Sequence, residues 1–224
     1  MVNFLWLTLC DPYPKTNGQF LYSGGLISAV GQTGARLTVL GLSREVGDQQ
    51  AHHEDHVEWR LAADEPGHRL RRVFSRFPST ALRTRVREMQ AMLDDQLRST
   101  DWDALILDSI NVAWTLPHLI RYRRKQPRTR IVYLAQNNET EAALHLAKAE
   151  AGWRKGVRLL QVAKTRLLER QLARSANLVT ADAPEDCIYL SRLSGGQPVV
   201  FIPPGYEGRR VNERTIGPSV PRRA

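Results

Sequence analysis

Short apolar runs recur along the chain at Val2–Leu9, Arg36–Leu42, Val57–Leu61, Ala104–Leu107, Ile131–Ala135, Leu178–Ala181 and Val199–Ile202. Most are continuous rather than alternating, which suits strands buried on both faces of a parallel sheet. Helical periodicity fills the intervals. Over residues 81–98, Leu82, Val86, Met89, Leu93 and Leu97 recur at spacings of three and four, so one helix is expected there. A second starts near Glu139 and runs through Ala-rich sequence toward Glu150; Gly152 and Gly156 are expected to break it. Val157–Ala173 then continues as a basic amphipathic helix. Strands alternating with helices predict a doubly wound α/β domain.

The first unit is the most informative. Phe4–Leu9 is followed by the polar, proline-bracketed loop Asp11–Gln19, a helix-like segment through Leu21, Ile27 and Val30, and a second apolar run from Arg36. This reads as βαβ, with the loop opening at the strands' carboxyl ends, where α/β sheets place ligands. The expected fold is Rossmann-like, with a mostly parallel sheet of seven strands. The loop lacks the G-x-G-x-x-G of a dinucleotide site, so any phosphate is held another way. Gly18 permits close backbone approach, and N–H groups at the helix start suit a pyrophosphate. An ordinary βα turn, in which Asn17-Gly18 supplies a positive φ and the helix start, accounts for the same residues.

Two further strand ends carry polar groups. Asp108-Ser109-Ile110-Asn111 suits hydroxyl binding, with Asp108 as a base or an orienting group; helix capping by Ser109 or Asn111 is the competing account. Gln136-Asn137-Asn138-Glu139 offers amides and a carboxylate to sugar hydroxyls, or an N-cap followed by acids in the first helical turn. After Ile202 the periodicity ends in Pro203-Pro204-Gly205-Tyr206, which predicts a domain over 1–204 and a linker or tail over 205–224.

Charge narrows the partners. The net charge of +9 is uneven: residues 69–87 hold seven arginines and no acid, residues 121–130 hold six basic residues, and a third concentration runs from Arg154 to Arg174. This favours phosphorylated ligands, acidic lipid surfaces or nucleic acid, against the plainer account of solvated helix faces in an arginine-rich chain. Phe74, Phe77, Leu159, Leu160 and Val162 would give the basic segments an apolar edge for an anionic membrane surface, or pack as core. No RNP, helix-turn-helix or zinc motif accompanies the arginines, which ranks nucleic acid low. No apolar run reaches membrane-spanning length, and Met1-Val2-Asn3 lacks the charged start of a signal peptide. Cys10 and Cys187 show no motif spacing and read as core thiols of an intracellular protein. His52-His53-Glu54-Asp55-His56 has spacings compatible with metal ligation, but reads as a solvated loop.

Taken in order, these segments resemble the N-terminal, acceptor-side domain of GT-B glycosyltransferases of the large retaining class, family 4. The likeness rests on Pro12-Tyr13-Pro14 with Asn17-Gly18-Gln19, where the family has prolines and a Gly-Gly pair. It rests also on Asp101–Asp108 (DWDALILD), similar to the strand entering the family's cleft, and on Ile131–Glu139 (IVYLAQNNE), close to a strand ending in H-N-x-E. Leu167–Asp182 (LLERQLARSANLVTAD) resembles the family's helix before a strand, and Pro198–Tyr206 its V-x-x-I-P-N-G link. Gln19 replaces the second glycine and Pro204 the asparagine of that link.

The resemblance implies a hexosyltransferase-like enzyme using a nucleotide-sugar donor, with no tightly bound cofactor and no metal. Asp11, Tyr13, Asn17, Gly18, Gln19, Asn111, Gln136, Asn137 and Glu139 would bind acceptor or donor phosphate, with Asp108 the weak catalytic candidate. The acceptor would be a sugar or lipid-linked glycan, and the location cytoplasmic or peripheral at the inner membrane face. The likeness spans residues 2–206 and stops short of the family's donor-binding domain. An inactive half is therefore expected, completed by that C-terminal domain. A non-catalytic sugar- or phosphate-binding module acting with a partner chain is the alternative.

Overall fold

The computed structural model describes residues 1–44, 56–64 and 75–205. The elements run β1 (Asn3–Cys10), α1 (Gly18–Gly31), β2 (Arg36–Leu42), β3 (Val57–Ala62), α2 (Arg87–Ser99), β4 (Ala104–Asp108), α3 (Leu116–Lys125), β5 (Arg130–Ala135), α4 (Glu139–Lys148), α5 (Gly152–Ser175), β6 (Leu178–Ala181), α6 (Pro184–Ser194) and β7 (Val199–Phe201). Short 3-10 turns lie at Thr80–Leu82 and Ile110–Thr115. All seven strands join one parallel sheet in the order β3-β2-β1-β4-β5-β6-β7. This is a Rossmann-like α/β fold, and its strand order reverses between β1 and β4.

Each expected apolar run is a strand; in the inner strands alternation splits the residues between two buried faces, while the edge strands β3 and β7 stay partly exposed. Leu5, Leu7, Leu105, Leu107, Ile131 and Tyr133 join the larger core beneath α2, α3, α5 and α6. Trp6, Val39, Ile106 and Leu134 face Ile27 of α1 in a smaller one. Register ties Leu5 to Thr38 on one side and to Leu105 on the other.

Two helical expectations are corrected. Residues 81–98 are not one helix: a 3-10 turn at Thr80–Leu82 precedes a helix that starts only at Arg87, after extended Val86. Leu82 and Val86 are buried all the same, so burial here mimics helical spacing. Thr84 explains the break. Its hydroxyl donates to the Asn111 carbonyl at 3.0 Å and accepts from Trp114 Nε1 at 2.8 Å, offering this stretch polar partners outside a helix. Gly156, expected to interrupt, lies inside α5 at a cost of about 1 kcal/mol relative to alanine. The break falls at residues 149–151, and Gly152, at φ +59°, opens α5 after it.

Candidate functional site

The reversal of strand order places the carboxyl ends of β1 and β4 side by side, the position at which open α/β sheets form their ligand crevice. The loop leaving β1 is built by its own side chains. Asp11 Oδ1 accepts from the Tyr13 amide at 2.9 Å, Tyr13 packs edge-on against Trp59 of β3, and Lys15 Nζ lies 5.2 Å from the Tyr13 ring centre. Arg44 donates to the Pro14 carbonyl at 2.9 Å and stacks on Phe20, pinning the loop to the start of α1. Asn17 caps that helix by accepting from the Phe20 amide at 2.9 Å.

Gly18 opens α1 with clear space where a side chain would stand, and no acid occupies the helix's first turn. Helical geometry at Gly18 corrects the positive φ expected of Asn17-Gly18. The close approach occurs elsewhere. A Cβ on Gly24 would lie 2.9 Å from Lys15 Cε, and one on Gly41 would press on Thr8 and the Cys10 backbone.

Asp108 ends β4 fully buried. Its carboxylate accepts from Trp6 Nε1 and Thr8 Oγ1 of β1, each at 3.1 Å, and from Gln136 Nε2 beyond β5 at 2.6 Å. Gln136 also donates to Ser23 Oγ of α1 at 3.0 Å. Burial pushes the Asp108 carboxyl above its ordinary value, opposed by the hydrogen bonds it accepts. With no exposed surface it cannot meet a ligand directly, so the geometry supports the orienting role over the base. Ser109 follows at φ 77° and ψ 169°, a region in which nearly all residues are glycine. Its hydroxyl accepts from the Asn111 amide at 3.3 Å and from Asn111 Nδ2 at 3.0 Å, which is the capping account of both residues.

Beyond β5, Asn137 is exposed and Asn138 caps α4, accepting from the Glu141 amide at 3.0 Å. Glu139 turns to the opposite face of the sheet from Asp108, toward Glu169 of α5. Glu169 is fully buried and accepts from the Glu139 amide at 3.1 Å, Thr140 Oγ1 at 2.7 Å and the Tyr189 hydroxyl at 2.7 Å. Burial, with Glu169 close by, pushes the Glu139 carboxyl up to about 7. The same two acids and burial hold the Tyr133 phenol well above its usual value.

The sequence candidates therefore divide. Asp11, Tyr13, Asn17, Gly18 and Gln19 lie on the β1–α1 loop and the start of α1, joined through Ser23 and Gln136 to Asp108. Glu139 belongs to a second acidic cluster, and Asn111 is committed to Ser109. His52, His53, Glu54 and Asp55 lie outside the described residues, as do Phe74, Arg69, Arg71, Arg72 and the tail beyond Gly205. Among the described residues no group of His, Cys, Asp or Glu is arranged to hold a metal ion, and no helix is long and apolar enough to cross a membrane.

A solved sucrose-phosphate synthase from Thermosynechococcus elongatus matches this architecture at a TM-score of 0.50, over 92% of this chain and 90% of that one, with 14% identity. This likeness is one of fold. UGT89C1 from Arabidopsis thaliana, solved with UDP, aligns at a TM-score of 0.49 over 89% of this chain and 48% of its own, with 13% identity. No family model matches the chain, and no curated protein matches it.

Three residues escaped the sequence reading. Glu169 carried a signal, since it sits in the LLERQ segment that supports the resemblance. Asp182, held above its ordinary value mainly by burial, follows β6 at the same sheet edge, and strand-end position alone would have found it. Tyr22 donates to the Ile202 carbonyl at 3.2 Å, tying α1 to the chain leaving β7; helical spacing gave no sign of a contact so distant in sequence.

Proposed function

We propose that this chain is the acceptor-side half of a retaining, family 4-like glycosyltransferase that moves a hexose from a nucleotide sugar to a glycan or lipid-linked acceptor. The observation that carries the proposal is the crevice at the β1/β4 switch point. There the acid-free N-terminus of α1, with open space at Gly18, lies beside the polar strand ends of β4 and β5. A helix start of this kind favours the donor's phosphates, while Gln19 and Asn137 suit sugar hydroxyls. Asp108 positions Gln136 and the start of α1 rather than touching substrate. Glu139, drawn toward Glu169 on the other face, is left outside this crevice. Catalysis takes place once a donor-binding domain closes the crevice, and the nucleotide sugar enters as substrate.

The test is transfer of labelled sugar from a panel of nucleotide sugars by the intact gene product from its native source. Transfer that falls at least tenfold in Gln19→Ala and Asn137→Ala, with unchanged circular dichroism, is the expected result. Absence of transfer from every donor, together with no donor-induced amide shifts at residues 17–19 or 136–139, overturns the proposal.

A further inference from the structure

A cavity of ≈ 180 Å³ opens between the loop before the Thr80–Leu82 turn, the start of α3 and the middle of α5, on the larger-core side of the sheet. Phe77, Leu116, Pro117, Leu167 and Leu168 line it. Phe77, Leu116 and Leu168 belong to the core and are at most 8% exposed, so they form the floor, while Leu167, 69% exposed, stands at the mouth. The walls are held in place. Gln161 of α5 accepts from the Ser79 amide at 2.9 Å, tying the loop to the helix, and Pro117 fixes the first turn of α3.

Arg76, Lys164 and Gln171 complete the lining, and among the described residues around the cavity none is acidic. The Arg76 guanidinium lies 4.9 Å from the centre of the Phe77 ring, which sets a cation against the apolar wall. The single acid of α5, Glu169, is turned away to Tyr189 and the start of α4. The cavity thus joins an apolar floor to a cationic rim. Water fits that floor poorly, since a buried water needs about two to four polar partners and these side chains offer none. Inorganic phosphate meets the same obstacle on that side, and a purely apolar guest leaves both cations unused. An apolar cavity of about 150 Å³ holds a benzene ring, so this one has room for a ring with its charged group at the mouth.

We infer that this cavity is a binding site for a small aromatic carboxylate of benzoate size: the ring lies on Phe77, Leu116 and Leu168, and the carboxylate meets Arg76 and Lys164 at the mouth. Volume and charge complementarity together select this class. Phe77, which the sequence left open between a surface edge and the core, serves here as the buried wall of the site. The inference is independent of the transferase proposal, since the cavity lies on the sheet face opposite α1 and involves no sugar chemistry.

Titration of the full chain with benzoate, followed through the methyl resonances of Leu116, Leu167 and Leu168, tests it, with benzyl alcohol, acetate and inorganic phosphate as controls. The expected result is saturable shifts of those methyls at millimolar benzoate or below, and affinities at least about tenfold weaker for each control. Arg76→Gln and Lys164→Gln should each weaken benzoate binding about tenfold. Arg76→Glu with Lys164→Glu should reverse the preference, so that benzylamine binds and benzoate does not. Neither position is buried, and unchanged circular dichroism confirms folding. Absence of saturable shifts with benzoate overturns the inference. Equal affinity for benzyl alcohol would make the cavity a neutral apolar pocket, and equal affinity for acetate or phosphate a solvated basic patch; either result overturns it as well.

Discussion

Glu139→Gln should stabilise this protein at alkaline pH. In the folded state burial, with Glu169 close by, raises the Glu139 carboxyl from 4.5 to about 7. Between those values the folded protein holds a proton that the unfolded chain releases. The folded state is therefore progressively penalised as pH rises from 4.5 to 7, and the full penalty is present above 7. A shift of this size corresponds to about 3 kcal/mol. Partial exposure of the side chain lowers the expected value to about 2 kcal/mol. Glutamine keeps the shape and removes the charge. The net expectation is a gain of about 2 kcal/mol at pH 8 and little change at pH 4.5, where the folded-state carboxyl is already neutral. Urea denaturation of the variant and the parent at pH 4.5, 6 and 8 measures it, with the m-value checked for constancy. A stability difference independent of pH, or a variant less stable at pH 8, would refute the reasoning.

Asp108→Leu should destabilise the protein by about 4 kcal/mol, because three donors lose their acceptor; Asp108→Asn should cost about 1 kcal/mol, since rotating the Gln136 amide restores every pair. Equal losses in thermal or urea unfolding would show that the carboxylate is not the hub of the strand ends. Gly41→Ala, whose Cβ would sit 3.0–3.3 Å from Thr8 and the Cys10 backbone, should cost about 1–3 kcal/mol, and a melting temperature unchanged within error would contradict that packing. Gly18→Val meets no neighbour within 4 Å and should leave the melting temperature unaltered while abolishing transfer by the intact gene product; unchanged turnover would take the loop out of the site.

The sequence by itself determined the architecture. Seven apolar runs became seven strands, the inner ones continuous in apolar sequence because they are buried on both faces, the edge strands β3 and β7 less so. The position of the β1–α1 loop at the sheet's carboxyl edge followed from the βαβ rule, and an N-cap was legible at Asn137 or Asn138, of which the structure selects Asn138. Side-chain direction was decided only in three dimensions. Asp108 and Glu139 both stand at strand ends, yet one is enclosed beneath α1 and the other turns to α5, a difference set by strand alternation and by which helix covers each face. Thr84 broke an otherwise convincing helix through partners about 30 residues away. Along α5, Thr165, Leu168 and Leu172 were identified as the core-facing residues only by packing. Periodicity records that a face is apolar; only packing assigns that face to the core or to a surface.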